Sequence, residues 1–429
     1  VPYIICMKIH FIGAEGVSMK ALAAIAVQLG FSVTGSDLVT GGHDKNNITG
    51  KDLVVYSGAV PEDNEELAYA KKIGVPTMER SDFLAFVARQ FDMCAAVAGC
   101  HGKTTVTAMT GETFAVRRPT VHLGGEYAFD FTPGLADGKK EVFITEACEY
   151  RRSFLKLRPD IAIITNIDFD HPDTYKDIRD VTAAFMAFVS CAGTVIYSGD
   201  DAICAKIMKR GISYGFSERC DYVVHPRANG FELTYRGHPA GEFFPRFSDP
   251  FNIKNAAAAI AAAYTAGIDY KDIKRGIERF CGVKRRGEIV LRTEKCVVVS
   301  DYSHHPAEIS ERIAALKRQY KKLAVIFQPH TYSRTKALAG RFATAFSAAD
   351  KVIFTDTFAA REKTGDDKLI YRLSKDSCDC VFVDEKDLFE EFLRLTNSFD
   401  CVALMGAGDM QKKLVGRYRD AAVCHNENM

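Results

Sequence analysis

The stretch from Met93 to Phe114 reads MCAAVA-GCHGKTT-VTAMTGETF and has three parts. A short apolar run comes first, then a loop with glycines at Gly99 and Gly102, then a run of helical character. This order predicts a phosphate-binding loop, because the backbone N–H groups of a glycine loop and the positive end of a helix both attract phosphate oxygens. The sequence therefore predicts an α/β fold built around a nucleotide site.

The side chains of this loop fit the same chemistry. Lys103 can neutralise β- and γ-phosphates, and the hydroxyl of Thr104 can serve Mg²⁺. The loop is shorter than the usual pattern, since Val97 stands where the first glycine is expected. A helix start with incidental glycines is the alternative interpretation. The predicted ATP-binding residues of the loop are Gly99, Cys100, His101, Gly102, Lys103, Thr104 and Thr105.

Outward from the loop, short β-rich runs alternate with helical patterns, as is typical of parallel α/β units. These runs are too numerous for one ordinary sheet. The candidate strands are Lys8–Ile12, Leu53–Tyr56, Met93–Ala98, Val142–Thr145, Ile161–Thr165, Val195–Tyr197, Val297–Ser300, Leu323–Phe327, Val352–Thr355, Val381–Val383 and Val402–Met405.

The segment from Arg219 to Phe247 differs, because its alternating residues around Gly and Pro predict antiparallel hairpins. We expect three domains, with a Rossmann-like domain at each end and a central P-loop ATPase-like parallel sheet that carries the antiparallel insertion. The predicted boundaries are 1–90, 91–286 and 287–429.

Composition excludes several classes of protein. The chain has 429 residues, 47% of them hydrophobic, which suits several globular domains of about 100–200 residues each. Lys and Arg number 56 against 55 Asp and Glu, so the charge excess of a nucleic-acid-binding protein is missing. The 13 Cys form no framework, and no apolar run reaches the roughly 18 residues of a membrane span. We expect a cytoplasmic protein with no membrane or nucleic-acid partner.

Acidic residues and a histidine follow two of the predicted strands. Glu146 ends one strand, and Asp168, Asp170 and His171 follow another. Oxygen ligands suit a hard cation such as Mg²⁺, so these positions are candidates for metal binding near the phosphate loop. A turn with solvated charges is the alternative for the second group.

The N-terminal strand also leads into a glycine loop, with Gly13 and Gly16, and a helix from Val17 to Leu29. This arrangement, followed by an acidic residue about twenty positions later, resembles the fingerprint of dinucleotide-binding proteins. Glu15, however, stands where a glycine should admit the pyrophosphate, which disfavours hydride transfer to NAD. The loop is still compatible with a nucleotide diphosphate that is held by backbone amides. The predicted contacts of this ligand are Gly13, Gly16, Ser36, Asp37 and Ser57.

These motifs together resemble those of the Mur ligase family, and within it the alanine-adding branch. The resemblance runs through nearly the whole chain. Its blocks are GSD (35–37), YSGA (56–59), AGCHGKTT (98–105), HLGG (122–125), EACE (146–149), NIDFDH (166–171), RR (285–286), DYSHHP (301–306), FQPHTYSRT (327–335) and GAGD (406–409).

The resemblance implies an ATP-dependent ligase of peptidoglycan precursor synthesis. Such an enzyme joins L-alanine to the lactyl carboxylate of UDP-N-acetylmuramic acid through an acyl phosphate. The three domains would hold the UDP moiety, ATP and the amino acid in that order, as a monomer or homodimer. The implied residues are Lys103 on phosphate, Thr104, Glu146 and His171 on Mg²⁺, Asn252 and Asn255 on adenine, Arg286 and Asp301 on phosphate and ribose, and Tyr302, His304 and Arg334 at the amino acid.

Departures from the family pattern indicate which branch of the family the chain resembles. Several relatives carry a carbamate-modified lysine after the tyrosine equivalent to Tyr175, where this chain has Phe185 and Met186, and this favours the alanine-adding branch. Thr331 replaces an arginine, which leaves Arg334 for the amino-acid carboxylate. A peptide-recycling ligase of the same family and an inactive nucleotide-binding homologue are the alternatives.

Overall fold

The computed structural model describes residues 7–360 and 362–426, and the predicted domain ends at 1–6 and 427–429 lie outside them. The chain divides into two compact units, Val1–Asp168 with Asp177–Cys281 and Phe169–Lys176 with Gly282–Met429. The first unit holds two sheets and the second holds one. The α/β class predicted from the sequence is confirmed.

The N-terminal sheet is small and wholly parallel, in the order β2-β1-β3-β4. Helix α1 begins at the predicted Val17 and ends one residue before the predicted Leu29. The elements are β1 Lys8–Ile12, α1 Val17–Gln28, β2 Ser32–Ser36, β3 Leu53–Tyr56, α2 Glu65–Ile73, β4 Thr77–Glu79 and α3 Arg80–Ala88.

The central sheet has nine strands in the order β13-β12-β11-β10-β9-β8-β5-β7-β6. Its strands are β5 Met93–Ala98, β6 Thr120–His122, β7 Val142–Glu146, β8 Ile161–Ile164, β9 Thr194–Ser198, β10 Ile212–Gly215, β11 Tyr222–Arg227, β12 Gly230–Tyr235 and β13 His238–Phe243. Its helices are α4 Lys103–Thr113, α5 Ile178–Val189, α6 Ala202–Ile207, α7 Pro250–Thr265 and α8 Tyr270–Arg279. The predicted hairpins are β11 to β13, and they extend this sheet instead of forming a separate one.

The outer backbone groups of edge strand β13 are bonded by side chains from two helices. The hydroxyl of Tyr270 donates to the carbonyl oxygen of Glu242 at 2.8 Å and accepts from its N–H at 3.2 Å. Tyr264 donates to the carbonyl oxygen of Ala240. Exposed strand edges are templates for pairing with other chains, so these tyrosines close that side of the sheet.

The sheet of the second unit has the order β14-β15-β19-β16-β17-β18, and all its pairs are parallel except β14 with β15. Buried clusters cover both of its faces. Its strands are β14 Arg286–Arg292, β15 Val297–Asp301, β16 Leu323–Phe327, β17 Lys351–Phe354, β18 Cys380–Phe382 and β19 Cys401–Met405. Its helices are α9 Pro306–Lys317, α10 Tyr332–Ala337, α11 Ala339–Ala345, α12 Leu369–Ser374, α13 Leu388–Ser398 and α14 Met410–Asn426.

Among the described residues, no helix combines the length and the apolar character that crossing a membrane requires. The eleven cysteines whose side chains the structure describes form no disulfide.

The substitution Tyr270→Phe tests the closed edge, because it removes one hydroxyl that makes two backbone bonds. We expect a loss of about 1 kcal/mol, which lowers the melting temperature by about 2–4 °C. Tyr235→Phe is the control, since Tyr235 lines the same cavity as Tyr270 and none of the described hydrogen bonds uses its hydroxyl. Equal melting temperatures for the two variants in calorimetry would contradict the closing role of Tyr270.

Candidate active site

Two glycines shape the loop between β5 and α4. Gly99 has a φ of 145° and Gly102 a φ of 81°, both in the region that favours glycine. A Cβ at Gly99 would collide with the hydroxyl oxygen of Thr165, and a Cβ at Gly102 would lie 3.2 Å from Oδ1 of Asn255. Both positions therefore require glycine for conformation and for space.

The segment that follows β8 holds the loop in place. The side-chain amide of Asn166 accepts from the N–H of His101 and donates to its carbonyl oxygen, each at 2.9 Å. The thiol of Cys100 donates to the carbonyl oxygen of Asp168 at 3.0 Å and accepts from its N–H at 3.2 Å. Cys100 thus contributes its side chain to loop position, a role that the sequence did not indicate.

Lys103, at the first position of α4, is closely surrounded by acceptors. Its ammonium donates to the carbonyl oxygens of Gly99 at 2.5 Å and Cys100 at 3.2 Å. It also donates to both carboxylate oxygens of Glu149, at 2.9 and 3.1 Å. Burial opposes the charged form, but the Glu149 charge, its hydrogen bond and other neighbouring groups together outweigh burial and raise the pKa of Lys103. Lys103 therefore carries its charge at neutral pH.

Glu149 is the functional candidate that our sequence reasoning missed. Its side chain is 1% exposed, and it forms the ion pair with Lys103. The signal that could have indicated Glu149 is its place in the block EACE (146–149), from which the sequence analysis selected only Glu146 as a site residue.

Two of the predicted magnesium ligands, Thr104 and Glu146, belong to the first unit. Glu146 lies opposite Val97 in the register of β7 with β5, so it stands at the strand end next to the loop. One of its oxygens accepts from the N–H of Gly124 at 2.7 Å. Thr104 is buried in the first turn of α4. A hydroxyl and a carboxylate are oxygen donors of the kind that Mg²⁺ prefers.

The predicted adenine contacts lie on the first turns of α7, beside the loop. Asn255 is buried next to Gly102. Asn252 donates its backbone N–H and its side-chain amide to Asp249, each at 2.9 Å. The structure therefore brings the asparagine pair and the phosphate loop together within one unit, and their contact with adenine stays a prediction.

The N-terminal glycine loop is closed by backbone bonds. The N–H groups of Gly13 and Ala14 donate to the carbonyl oxygen of Ser36 at 2.9 and 3.0 Å. Glu15 donates its N–H to the carboxylate of Asp37 at 3.0 Å, and its own carboxylate pairs with Lys20 at 2.5 Å. Asp37 thus shapes this loop, and Lys20 partly balances the charge of Glu15.

The remaining predicted UDP contacts differ in their surroundings. The hydroxyl of Ser57 accepts from the N–H of Ala59 at 3.3 Å. The hydroxyl of Ser36 is buried and donates to Glu66 at 2.5 Å, where His43 also lies 3.0 Å from the carboxylate. Burial raises the pKa of Glu66, but the bonds from Ser36 and its neighbours outweigh burial and lower it. Ser36 therefore serves a buried polar cluster, and its ligand role stays a prediction.

In the second unit, Arg334 is buried and forms a forked pair with Asp170. The Arg334 Nε to Asp170 Oδ1 distance is 2.8 Å, and Nη2 lies 3.4 Å from Oδ2. Burial opposes the charge of Asp170, but its interactions with neighbouring His171 and with the Arg334 guanidinium hold its pKa well below the usual value. The Arg334 guanidinium is thus engaged by a protein carboxylate, and its contact with an amino-acid carboxylate stays a prediction.

Three histidines surround this ion pair. Nδ1 of His171 lies 3.4 Å from Arg334, and Nδ1 of His330 lies 2.8 Å from it. Burial and then the Arg334 charge lower the pKa of His304 to about 3 and that of His330 to about 4. His304 and His330 are therefore neutral near pH 7. His171, the third predicted metal ligand, lies in this unit and has a φ of 54°.

The other predicted residues of the second unit lie near β15. The Tyr302 ring has the guanidinium carbons of Arg285 and Arg286 at 4.8 and 5.0 Å from its centroid. Asp301 is buried and pairs with Arg312 at 2.7 Å. Asp301 thus anchors its own domain, and its proposed contact with ribose stays a prediction.

A glycine loop at the carboxyl end of a parallel strand, with a charged lysine and a nearby carboxylate, defines a nucleotide-binding α/β protein. Three family models match consecutive parts of the chain. They are described as "Mur ligase family, catalytic domain" (8–92), "Mur ligase middle domain" (97–263) and "Mur ligase, glutamate ligase domain" (285–408). The chain belongs to the Mur ligase family, as the sequence motifs predicted.

Curated relatives match along almost the full length. A UDP-N-acetylmuramate–L-alanine ligase of Caldanaerobacter subterraneus subsp. tengcongensis is 38% identical, with 94% of this chain and 95% of the relative covered. An enzyme of the same name from Acetivibrio thermocellus is 36% identical, with 94% of each chain covered.

Solved structures show the same three-domain fold. A UDP-N-acetylmuramate–alanine ligase from Thermotoga maritima has a TM-score of 0.79 and 26% identity, with 97% of this chain and 100% of that chain covered. A murein peptide ligase from Psychrobacter arcticus has a TM-score of 0.71 at 22% identity, with 96% and 98% covered, which shows the fold alone.

The substitution Arg334→Met tests the buried ion pair of the second unit. It leaves Asp170 as an uncompensated buried charge, and we expect a loss of about 3–5 kcal/mol. Calorimetry should show a melting temperature lower by several degrees. The double variant Arg334→Met/Asp170→Asn should recover part of that loss, because no unpaired charge is left. A loss below about 1 kcal/mol in the single variant would contradict the pairing.

Proposed function

We propose that this chain is an ATP-dependent ligase that joins L-alanine to the lactyl carboxylate of UDP-N-acetylmuramic acid in peptidoglycan precursor synthesis. The observation that carries the proposal is the phosphate loop with charged Lys103, in a chain similar over 94% of its length to L-alanine ligases. We assign the UDP-sugar to residues 1–90, ATP to 91–286 and the amino acid to 287–429. We assign the protein to the cytoplasm, which supplies these substrates and where cysteines stay reduced as thiols.

The reaction requires two anions to meet. The lactyl carboxylate attacks the γ-phosphorus of ATP, which breaks the bond to the β-phosphate oxygen and gives an acyl phosphate and ADP. The alanine amine then attacks the acyl carbon and loses a proton, and phosphate leaves. Lys103 can stabilise the charge on the transferring phosphoryl group, and loop amides can hold the phosphates in place.

Magnesium fits the oxygen donors of the first unit. We assign Thr104 and Glu146 as its ligands, and the part of His171 as a third ligand stays a prediction of the sequence. Bound there, the ion would screen the repulsion between the phosphates and the attacking carboxylate. The backbone N–H of Gly124 donates to the Glu146 carboxylate and so fixes the orientation of this proposed ligand.

Neutral imidazoles suit the amino-acid end of the reaction. Nδ1 of His304 lies 3.0 Å from the carbonyl oxygen of Tyr302, so it carries the hydrogen and Nε2 keeps its lone pair. We assign His304 to the alanine amine, with Tyr302 and Arg334 nearby in the chain's second unit. The low pKa of His304 makes it an acceptor that orients the amine instead of a strong base.

A peptide-recycling ligase of the same family is the second candidate, because a murein peptide ligase shares the fold. Phosphate release with ATP, Mg²⁺ and UDP-N-acetylmuramic acid separates the two. We expect release with alanine, weaker release with glycine or serine, and none with a tripeptide. Preference for the tripeptide would establish the second candidate, and no amine-dependent release from folded protein would overturn both.

The substitution Lys103→Ala tests the role of the phosphate loop. We expect kcat to fall by at least about 10²–10³-fold, because the charge that faces the phosphoryl group is lost. Lys274→Ala, a change on the same domain at a surface pair with Glu278, should leave kcat unchanged. Activity of the Lys103 variant within tenfold of the unchanged protein would disprove the assignment.

A further inference from the structure

The ammonium of Lys103 has a protein anion, the Glu149 carboxylate, in direct contact with it. Glu149 approaches it with both oxygens, and two loop carbonyls complete its surroundings. An ammonium has three N–H donors, so these acceptors saturate it. The β- and γ-phosphates of a nucleotide can reach Lys103 only by replacing some of these bonds.

Glu149 is held where it is by its backbone. The carbonyl oxygen of Glu149 accepts from the N–H of Arg152 at 2.8 Å, and the hydroxyl of Ser153 donates to the carbonyl oxygen of Cys148 at 2.8 Å. Arg151 and Arg152 both have positive φ, which fixes a tight turn directly after the carboxylate. The backbone of Glu149 is therefore fixed beside the loop, and its side chain, which is 1% exposed, is enclosed by protein.

Glu149 also supplies a negative charge next to the Lys103 ammonium. A carboxylate that is 1% exposed is poorly screened by water, so its repulsion of phosphate is stronger than at a surface.

We propose that Glu149 is a positioning residue that holds Lys103 at the loop and competes with nucleotide β- and γ-phosphates for its ammonium. This inference rests on the proposed function of the loop as the ATP site. Glu149 weakens the binding of nucleotides that carry these phosphates and leaves adenosine monophosphate unaffected. The carboxylate thus limits how tightly ATP and the product ADP are held.

The test measures nucleotide binding by titration calorimetry in the presence of EDTA, with ATP and AMP as probes. Glu149→Gln keeps the shape and one acceptor oxygen but removes the charge. We expect ATP to bind at least fivefold more tightly to this variant and AMP to bind within twofold of the unchanged protein. A structural role alone would change both nucleotides together.

Two further variants identify the route of the effect. In a Lys103→Ala background, Glu149→Gln should no longer favour ATP over AMP, because the contested ammonium is absent. Glu112→Gln is the matched control, since Glu112 is also 1% exposed, pairs with Arg279 and lies at the far end of the same helix α4. It should leave the ATP-to-AMP ratio unchanged.

Unchanged or weaker ATP binding by folded Glu149→Gln would overturn the inference. Glu149→Ser carries the same expectation and replaces Glu149→Gln if that variant melts early. The proposed function fails in a different way, through the absence of amine-dependent phosphate release from folded unchanged protein, or through ATP binding in the presence of Mg²⁺ that is independent of Lys103. An effect equal in the Glu112 control would also overturn the inference, because any buried charge would then suffice.

Discussion

The position of strand β5 between β7 and β8 is the constraint on which the nucleotide site depends. Residues Ala95 to Ala98 are fully buried, and their small side chains fill a strand that has neighbours on both sides. Parallel pairing brings the carboxyl ends of the three strands to one edge. The register places Glu146 opposite Val97 and pairs Ala98 with Ile164, so the glycine loop, the carboxylate and the Asn166 clamp meet there.

Four buried carboxylates, two in each unit, are each paired with a lysine or an arginine. Lys103 pairs with Glu149 and Arg279 with Glu112 in the first unit. Arg334 pairs with Asp170 and Arg312 with Asp301 in the second. Because removing one partner leaves a costly lone charge, these pairs hold together the elements that carry their residues. Three of the predicted site residues are therefore also structural anchors of their own domains.

The sequence predicted the fold more fully than the site. Runs such as Leu323–Phe327 are apolar throughout, so their bounds agreed with the structure, whereas Ile212–Gly215 and Arg286–Arg292 lack that signal and were missed. The loop from Gly99 to Thr105 was visible because glycine and lysine spacing is local. The pairing of Glu149 with Lys103 was not, since it joins residues 46 positions apart.

The closed edge of the central sheet also has a consequence for biosynthesis. Strand β13 emerges from the ribosome before Tyr264 and Tyr270, which bond its outer groups. Until helices α7 and α8 fold, the nascent sheet presents an open edge of the kind that captures other strands. Formation of these helices therefore ends the interval in which this edge is open to misassembly, and the order of synthesis sets the length of that interval.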